Sequence, residues 1–259
     1  MPRRSRKLLL TFAIVVGLLG ALILGARMSR GRSSPPEAIG RIERERNLFT
    51  DIYGARVGGS VILFDAGVDN AGGALDRLLG ALSATRADVS DVFLTHGHFD
   101  HVSSAPLCTQ AKIRVGAPDV EFMAQRAPII APLAGRLLSR VFPAPPVFAT
   151  DPLSGKSEIT VGKERVLAIP TPGHTPGSYV FVFDGVMFAG DTMTIDNDKL
   201  DFCMGPFSID RDANRRSVAQ LGEALGGVEV HTVCTGHMGC TPPGQGKAML
   251  AALIERAKQ

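Results

Sequence analysis

The sequence predicts a single α/β sandwich domain behind an N-terminal transmembrane helix, and three observations carry that expectation. Short apolar runs of strand character occur in both halves of the chain, each followed by a segment of helical spacing. The 259 residues are 45% apolar and 20% charged, enough for one substantial core and unlike disordered, collagen-like or disulfide-scaffold chains. An uncharged run from Leu8 to Ala26 stands between Arg3, Arg4, Arg6 and Lys7 on one side and Arg27, Arg30 and Arg32 on the other. As a helix it rises about 28 Å, near the thickness of a hydrocarbon core.

That head reads as an uncleaved anchor. A basic flank follows where a signal-peptide cleavage site would lie, and Leu24 and Ala26 make a weak small-x-small pair, so secretion after signal cleavage is the alternative. The basic residues favour a cytoplasmic N-terminus, which places the body outside the cytoplasm. Gly17, Ala21 and Gly25 recur every four residues as a helix-pairing face. Residues 1–7 are thus the basic n-region, 8–26 the membrane anchor or signal, 27–46 a polar linker leading into a short surface helix, and 47–259 the domain. Of the 28 Lys and Arg, seven lie in the first 34 residues with no acid, leaving the rest a balance of −4. A mildly acidic body without a basic patch excludes nucleic acid as a partner.

Within the body, Val57 to Phe64 reads as one strand with Gly58-Gly59 as a bulge and Asp65-Ala66-Gly67 as its stop. Leu75 to Leu82 has helical spacing, Val89 to Thr95 is a buried strand, and Ile113 to Val115 is another. Residues 166–170, 179–183 and 186–189 are short strands, with Asp184-Gly185 a hairpin turn. Ala213 to Leu225 is a helix, Val228 to Thr235 a strand and Gln245 to Lys258 a closing helix. The apolar, Pro-rich stretch Ala127 to Val147 reads as core plus loop, with a lid or a membrane-leaning segment as the alternative.

Chemistry collects where these strands end. Thr95-His96-Gly97-His98-Phe99-Asp100-His101 puts four candidate metal ligands in six residues, with His96 and His98 on one side of an extended chain. A chance match of this kind is on the order of 10⁻⁴, which sets it apart from an incidental His cluster. His174 sits in the rigid loop Pro170 to Gly177, Asp191 in Gly190-Asp191-Thr192, and His237 in Gly236-His237-Met238-Gly239. Each is weak alone; together they bring imidazoles and carboxylates to loops following strands, where open α/β sheets build sites. Imidazole and carboxylate suit zinc, with iron or manganese as alternatives.

Over roughly residues 47 to 250 these motifs resemble the metallo-β-lactamase fold superfamily. The resemblance implies an αββα sandwich with two divalent metal ions in an edge cleft: His96, His98 and His174 on one, Asp100, His101 and His237 on the second, and Asp191 bridging. It also implies Asp65 as a support behind the ligands. Ser103 departs from the Gly that many members carry after the motif. A shared water acidified by two cations then serves as a bridging hydroxide, with Asp100 passing a proton to the leaving group. The reaction expected is hydrolysis of a small-molecule ester, thioester or lactone. The Asp191 bridge resembles glyoxalase II-like and lactonase-like members more than true β-lactamases, although the 22 residues after His237 are short for a glutathione-binding extension. Tyr179 is a candidate for a lactonase pocket tyrosine, with a packed strand tyrosine the plainer reading. A mononuclear iron sulfur dioxygenase and a noncatalytic, membrane-bound, metal-dependent binding module are the competing functions.

Among the remaining residues, His231 reads as a structural histidine on a strand, and Asp196, Asp198 and Asp201 as a solvated loop. Cys108, Cys203, Cys234 and Cys240 lack C-x-x-C spacing and read as buried thiols, with up to two disulfides if the body lies outside the cytoplasm. Substrate, native metal and oligomeric state do not follow from the sequence.

Overall fold

A computed structural model describes residues 37–259. The anchor or signal read at 8–26 and the linker up to residue 36 lie outside the described residues. Among the described residues, no helix is long and apolar enough to cross a membrane.

Six strands form the first sheet in sequential order: β1 (Glu37–Ile39), β2 (Ile42–Asn47), β3 (Thr50–Val57), β4 (Ser60–Phe64), β5 (Val89–Phe93) and β6 (Lys112–Arg114). The second sheet runs β14-β13-β10-β9-β8-β7, from β7 (Ser157–Val161), β8 (Glu164–Pro170), β9 (Tyr179–Phe183), β10 (Val186–Gly190), β13 (Thr232–Thr235) and β14 (Gly239–Cys240). A separate hairpin joins β11 (Met193–Asp196) to β12 (Lys199–Phe202). The helices are α1 (Gly73–Ala81), α2 (Phe99–Val102), α3 (Val120–Met123), α4 (Leu133–Val141), α5 (Arg211–Leu225) and α6 (Gly246–Ala257).

The layering follows from side-chain alternation. In β4, Ile62 and Phe64 enter the cluster between the sheets, whereas Val61 and Leu63 join the one beneath Leu75 and Leu78 of α1. In β9, Phe181 and Phe183 face inward, whereas Val180 and Val182 pack with Leu221 of α5 and Leu253 of α6. Both sheet faces are covered, which is why these strands read as continuous apolar runs. The inner layer is aromatic, with Phe64 stacked on Phe188 at 3.8 Å between centroids. The result is the expected α/β sandwich with helices outside both sheets.

Several readings are corrected. Val57 to Phe64 is the end of β3, a two-residue turn and β4: Val57 pairs with Ser60, and Gly58 takes the left-handed φ of 58° that such a turn needs. Residues 37–46 form β1 and β2 instead of linker and surface helix, because their charges find partners: Arg77 Nε meets Glu45 at 2.6 Å and Arg46 Nη1 meets Asp51 at 2.8 Å. The strand expected from Val228 begins at Thr232; His231, its side chain 62% exposed, lies on the surface near Glu229. Ala127 to Val147 reaches the core at Ala131 and Val147, but between them lies α4, a helix with no buried residue where the sequence reads as core or loop. Cys234 and Cys240 face each other across β13 and β14 as a disulfide, while Cys108 and Cys203 are buried thiols. Asp196 and Asp198 are exposed around the β11–β12 turn, and Asp201 pairs with Arg256 at 2.7 Å.

Candidate metal centre

Six of the eight sequence-predicted site residues lie in loops just beyond the end of a strand, and two in the short helix that follows one. Asp65 follows β4, His96 and His98 follow β5, Asp100 and His101 lie in α2, His174 follows β8, Asp191 follows β10 and His237 follows β13. Two glycines permit the convergence. A Cβ at Gly190 would lie 2.3 Å from Thr95 Oγ1, and one at Gly236 would lie 2.5 Å from both Asp191 Oδ1 and His101 Cε1.

The seven candidate ligands meet in three overlapping groups: His96, His98 and His174; His96, His101 and Asp191; and Asp100, His101 and His237. His96 Nε2, His98 Nδ1 and His174 Nε2 form a triangle with edges of 3.1, 2.9 and 3.2 Å. Asp191 Oδ2 lies 3.5 Å from His174 Nε2 and 3.1 Å from His237 Nε2, between the two halves. Its other oxygen is 3.4 Å from His101 Nε2. Asp100 Oδ2 stands 3.6 Å from His237 Nε2 and 3.9 Å from His101 Nε2.

Partner chemistry settles which ring nitrogens carry hydrogen. His98 Nε2 faces the Ile130 carbonyl at 3.1 Å, and a carbonyl only accepts, so Nδ1 keeps its lone pair. Ser208 Oγ donates to the Met204 carbonyl and therefore accepts from His174 Nδ1 at 3.2 Å. Thr95 Oγ1 donates to Asp65, so it accepts from His96 Nδ1 at 3.1 Å. His101 Nδ1 donates to Asp65 Oδ2 at 2.7 Å, and His237 Nδ1 to the Phe49 carbonyl at 2.8 Å. All five imidazoles thus spend their outer N–H on a fixed acceptor and turn the other nitrogen inward. Three lone pairs within about 3 Å repel unless a cation lies among them. His101 Nε2 and Asp191 Oδ1 are moreover buried without a hydrogen-bond partner. The donor set fits divalent metal.

Electrostatics divides the site in two. Burial, reinforced by the charges of His101, His174 and His98, pushes the His96 pKa well below the usual imidazole value. Burial likewise takes His174 down to about 3, against the pull of Asp191. Both imidazoles are thereby held in the neutral form that a metal ligand requires. Burial also opposes charge on His101 and His237, but the neighbouring carboxylates, Asp65 and Asp191 for His101 and Asp191 and Asp100 for His237, outweigh it and raise both pKa values. Desolvation works against the Asp191 carboxylate, yet His237, His101 and His174 hold its pKa well below the usual range. The acidic half therefore demands positive charge, which a metal could supply in place of protons.

Asp65 sits behind the cluster, accepting from the Thr95 amide at 2.7 Å as well as from His101. Sequence reasoning missed Asp119. Its fully buried carboxylate accepts from Gly97 N at 2.9 Å, Gly177 N at 2.7 Å and Thr175 Oγ1 at 2.6 Å, tying the His96/His98 loop to the His174 loop. Burial raises its pKa against those three bonds. Nothing in Ala117-Pro118-Asp119 marks it, since the pattern reads as an ordinary helix start. Tyr179 is not at the site: it is buried between the sheets and donates to the Gly155 carbonyl at 3.0 Å. Ser103 keeps the short α2 closed by donating to the Phe99 carbonyl at 2.5 Å.

The segment carrying α4 crosses the cleft. Ile130 holds His98, Phe142 lies 5.5 Å from Phe49 and 6.1 Å from Phe99, and α4 packs against residues 205–207 beside Ser208. Phe49 in turn stacks on His237 at 6.1 Å.

Fold and site together define an αββα protein with a His/Asp cluster at the strand ends that could hold metal. A sequence profile of the metallo-β-lactamase superfamily matches residues 47–237, and the chain belongs to that superfamily, whose members are mostly hydrolases and typically bind zinc. A probable polyketide biosynthesis zinc-dependent hydrolase, PksB, of Bacillus subtilis is 26% identical over 122 residues, covering 46% of this chain and 45% of the relative. A hydroxyacylglutathione hydrolase of Fuscovulum blasticum is 30% identical over 121 residues, covering 45% of this chain and 38% of the relative. The chain thus spans less than half the length of these two relatives. Among solved structures, a metallo-β-lactamase of Cronobacter sakazakii with a HARLDQ motif superposes with a TM-score of 0.65 at 19% identity, covering 91% of this chain and 95% of that one. That likeness is one of fold.

Proposed function

We propose that this chain is a dinuclear metal-dependent hydrolase of an ester, thioester or lactone. His96, His98 and His174 hold one cation, Asp100, His101 and His237 the second, and Asp191 lies between. The observation that carries the reading is the inward ring nitrogen on each of five histidines, every outer N–H being fixed by an acceptor behind it. When bound, two divalent cations, zinc foremost with iron or manganese as alternatives, would polarise a carbonyl and lower the pKa of a water far enough to supply hydroxide near neutral pH. The protein's own part is preorganisation: the imidazoles are locked in their ligating tautomers, so no reorganisation accompanies the reaction. Asp100 holds and passes the proton that the departing oxygen or sulfur requires. The hydrolase relatives support this choice of reaction class over dioxygenation or binding alone.

Metal analysis of the purified chain, paired with a screen of ester, thioester, lactone and β-lactam substrates, tests the reading. Two metals per chain and loss of turnover in Asp191→Ala are expected; full activity in that variant would falsify it. Oxygen uptake on a persulfide with iron and no ester turnover supports the dioxygenase instead, and tight ligand binding without turnover the binding module. We also propose that residues 8–26 anchor the chain with its domain outside the cytoplasm. The Cys234–Cys240 disulfide supports this, because such bonds persist in oxidising compartments.

A further inference from the structure

We propose that α4 lies on an anionic lipid surface, so that the segment crossing the metal cleft is also the face that meets the membrane. Leu133, Leu137 and Val141 follow one another at every fourth residue and so share one helix face, yet they are 73%, 51% and 62% exposed. A nine-residue helix with no buried residue, touching residues 205–207 only at its edge, gains little from packing, and isolated helices of this length are marginal in water. Three large side chains on one exposed stripe call for a cover.

Charge identifies the cover. From Phe122 to Thr150 the sequence contains Arg126, Arg136 and Arg140 and no acidic residue. Arg126 is engaged by Glu121 at 3.2 Å, and Arg136 Nε donates to the Ala131 carbonyl, which leaves Arg136 and Arg140 as exposed cationic neighbours of the stripe. Two copies meeting through this face would bring arginines against arginines. Anionic headgroups complement it, and an apolar stripe with arginine alongside is the pattern of a helix lying in the membrane interface. The uncharged run 8–26 supplies a second reason. It ends ten residues before Glu37, and a tether of that length raises the effective lipid concentration at α4 into the millimolar range, so a weak helix suffices. The inference rests on the anchor reading for its tether and on none of the catalytic assignments.

The chain contains no Trp, so a single introduced Trp reports without background. Full-length L137W is reconstituted into phosphatidylcholine vesicles with and without about one-third phosphatidylglycerol, and emission is followed with acyl-chain-brominated lipid as quencher. V228W, at an exposed apolar position outside this segment, is the control. The expected result is a blue-shifted L137W emission, quenched severalfold more than V228W in the anionic vesicles and less in zwitterionic ones or when Arg140→Glu is added. Co-flotation of the chain with vesicles while L137W is quenched no more than V228W overturns the docking and leaves the anchor standing. Failure to co-float overturns both. Shielding of L137W in lipid-free detergent overturns the docking in favour of protein cover, by a second copy if it grows with protein concentration and by the chain's own 8–26 run if it does not.

Discussion

On the proposed two-metal reading, replacing Asp119 by Asn separates the two halves of the His/Asp cluster. The carboxylate accepts three hydrogen bonds, from Gly97 N and Thr175 Oγ1 on one oxygen and Gly177 N on the other. An amide offers one oxygen only, so one face must turn an NH₂ group toward a buried N–H or hydroxyl. Losing a bond to a charged acceptor costs about 1.5–3 kcal/mol. The strain falls on the loops that carry His96, His98 and His174, and removing a group that orients ligands costs about 10- to 100-fold in metal affinity. His101, His237 and Asp100 make no contact with Asp119 and keep their own supports in Asp65 and Phe49. Competition with a chromogenic chelator should therefore show one zinc weakened about 10- to 100-fold and the other unchanged, with a matching change in the three-histidine component of the cobalt(II) absorption spectrum. Urea unfolding reads the stability loss separately. Equal weakening of both metals would refute the reasoning, because Asp119 would then act on overall stability alone; so would two metals held as in the unsubstituted protein.

Asp65→Asn should loosen the metal held by His101 about 10- to 100-fold and, because Thr95 links Asp65 to His96, weaken the three-histidine site as well but less, as read by the same competition. Gly236→Ala drives a methyl to 2.5 Å from Asp191 Oδ1 and His101 Cε1, so turnover should fall more than tenfold and metal content below that of the parent; normal zinc content would contradict the packing at this loop. Breaking the Cys234–Cys240 bond, which closes a loop of sequence separation 6 around His237, should cost about 2 kcal/mol by denaturant titration and speed zinc release to a chelator. Unchanged release kinetics in Cys240→Ser would show that hydrogen bonds suffice to hold the loop, from Arg46 to the His237 carbonyl, from the Gly239 amide to Asp51 and from His237 Nδ1 to the Phe49 carbonyl.

Much of the site is legible because its ligands are polar side chains in places where burial would otherwise forbid them. His96, His98, Asp100 and His101 sit at the end of an apolar strand, and a strand end facing a second sheet cannot leave four such groups unpaired. His174, Asp191 and His237 carry weaker local signals and gain meaning only as a set. The supports are less readable. Ser208, the Ile130 carbonyl and the Phe49 carbonyl have no chemistry of their own until a ring nitrogen faces them. β1 and β2 escaped detection because Arg44, Glu45 and Arg46 look solvated in one dimension, whereas Glu45 is 8% exposed and closes against Arg77. α4 was obscured by the opposite error, since an apolar run suggests burial and this one faces outward.

From the order and type of its residues alone, this chain specifies alternating apolar strands and helices and the identity of seven candidate ligands, because periodicity and side-chain chemistry are local properties. Which nitrogen of each histidine carries its proton, which carboxylate stands between the two halves and which buried aspartate joins the loops were decided only by the packed structure. Those facts depend on atoms as much as 188 residues apart being brought within hydrogen-bond reach, as between His237 and Phe49, and no local rule of the chain encodes that distance.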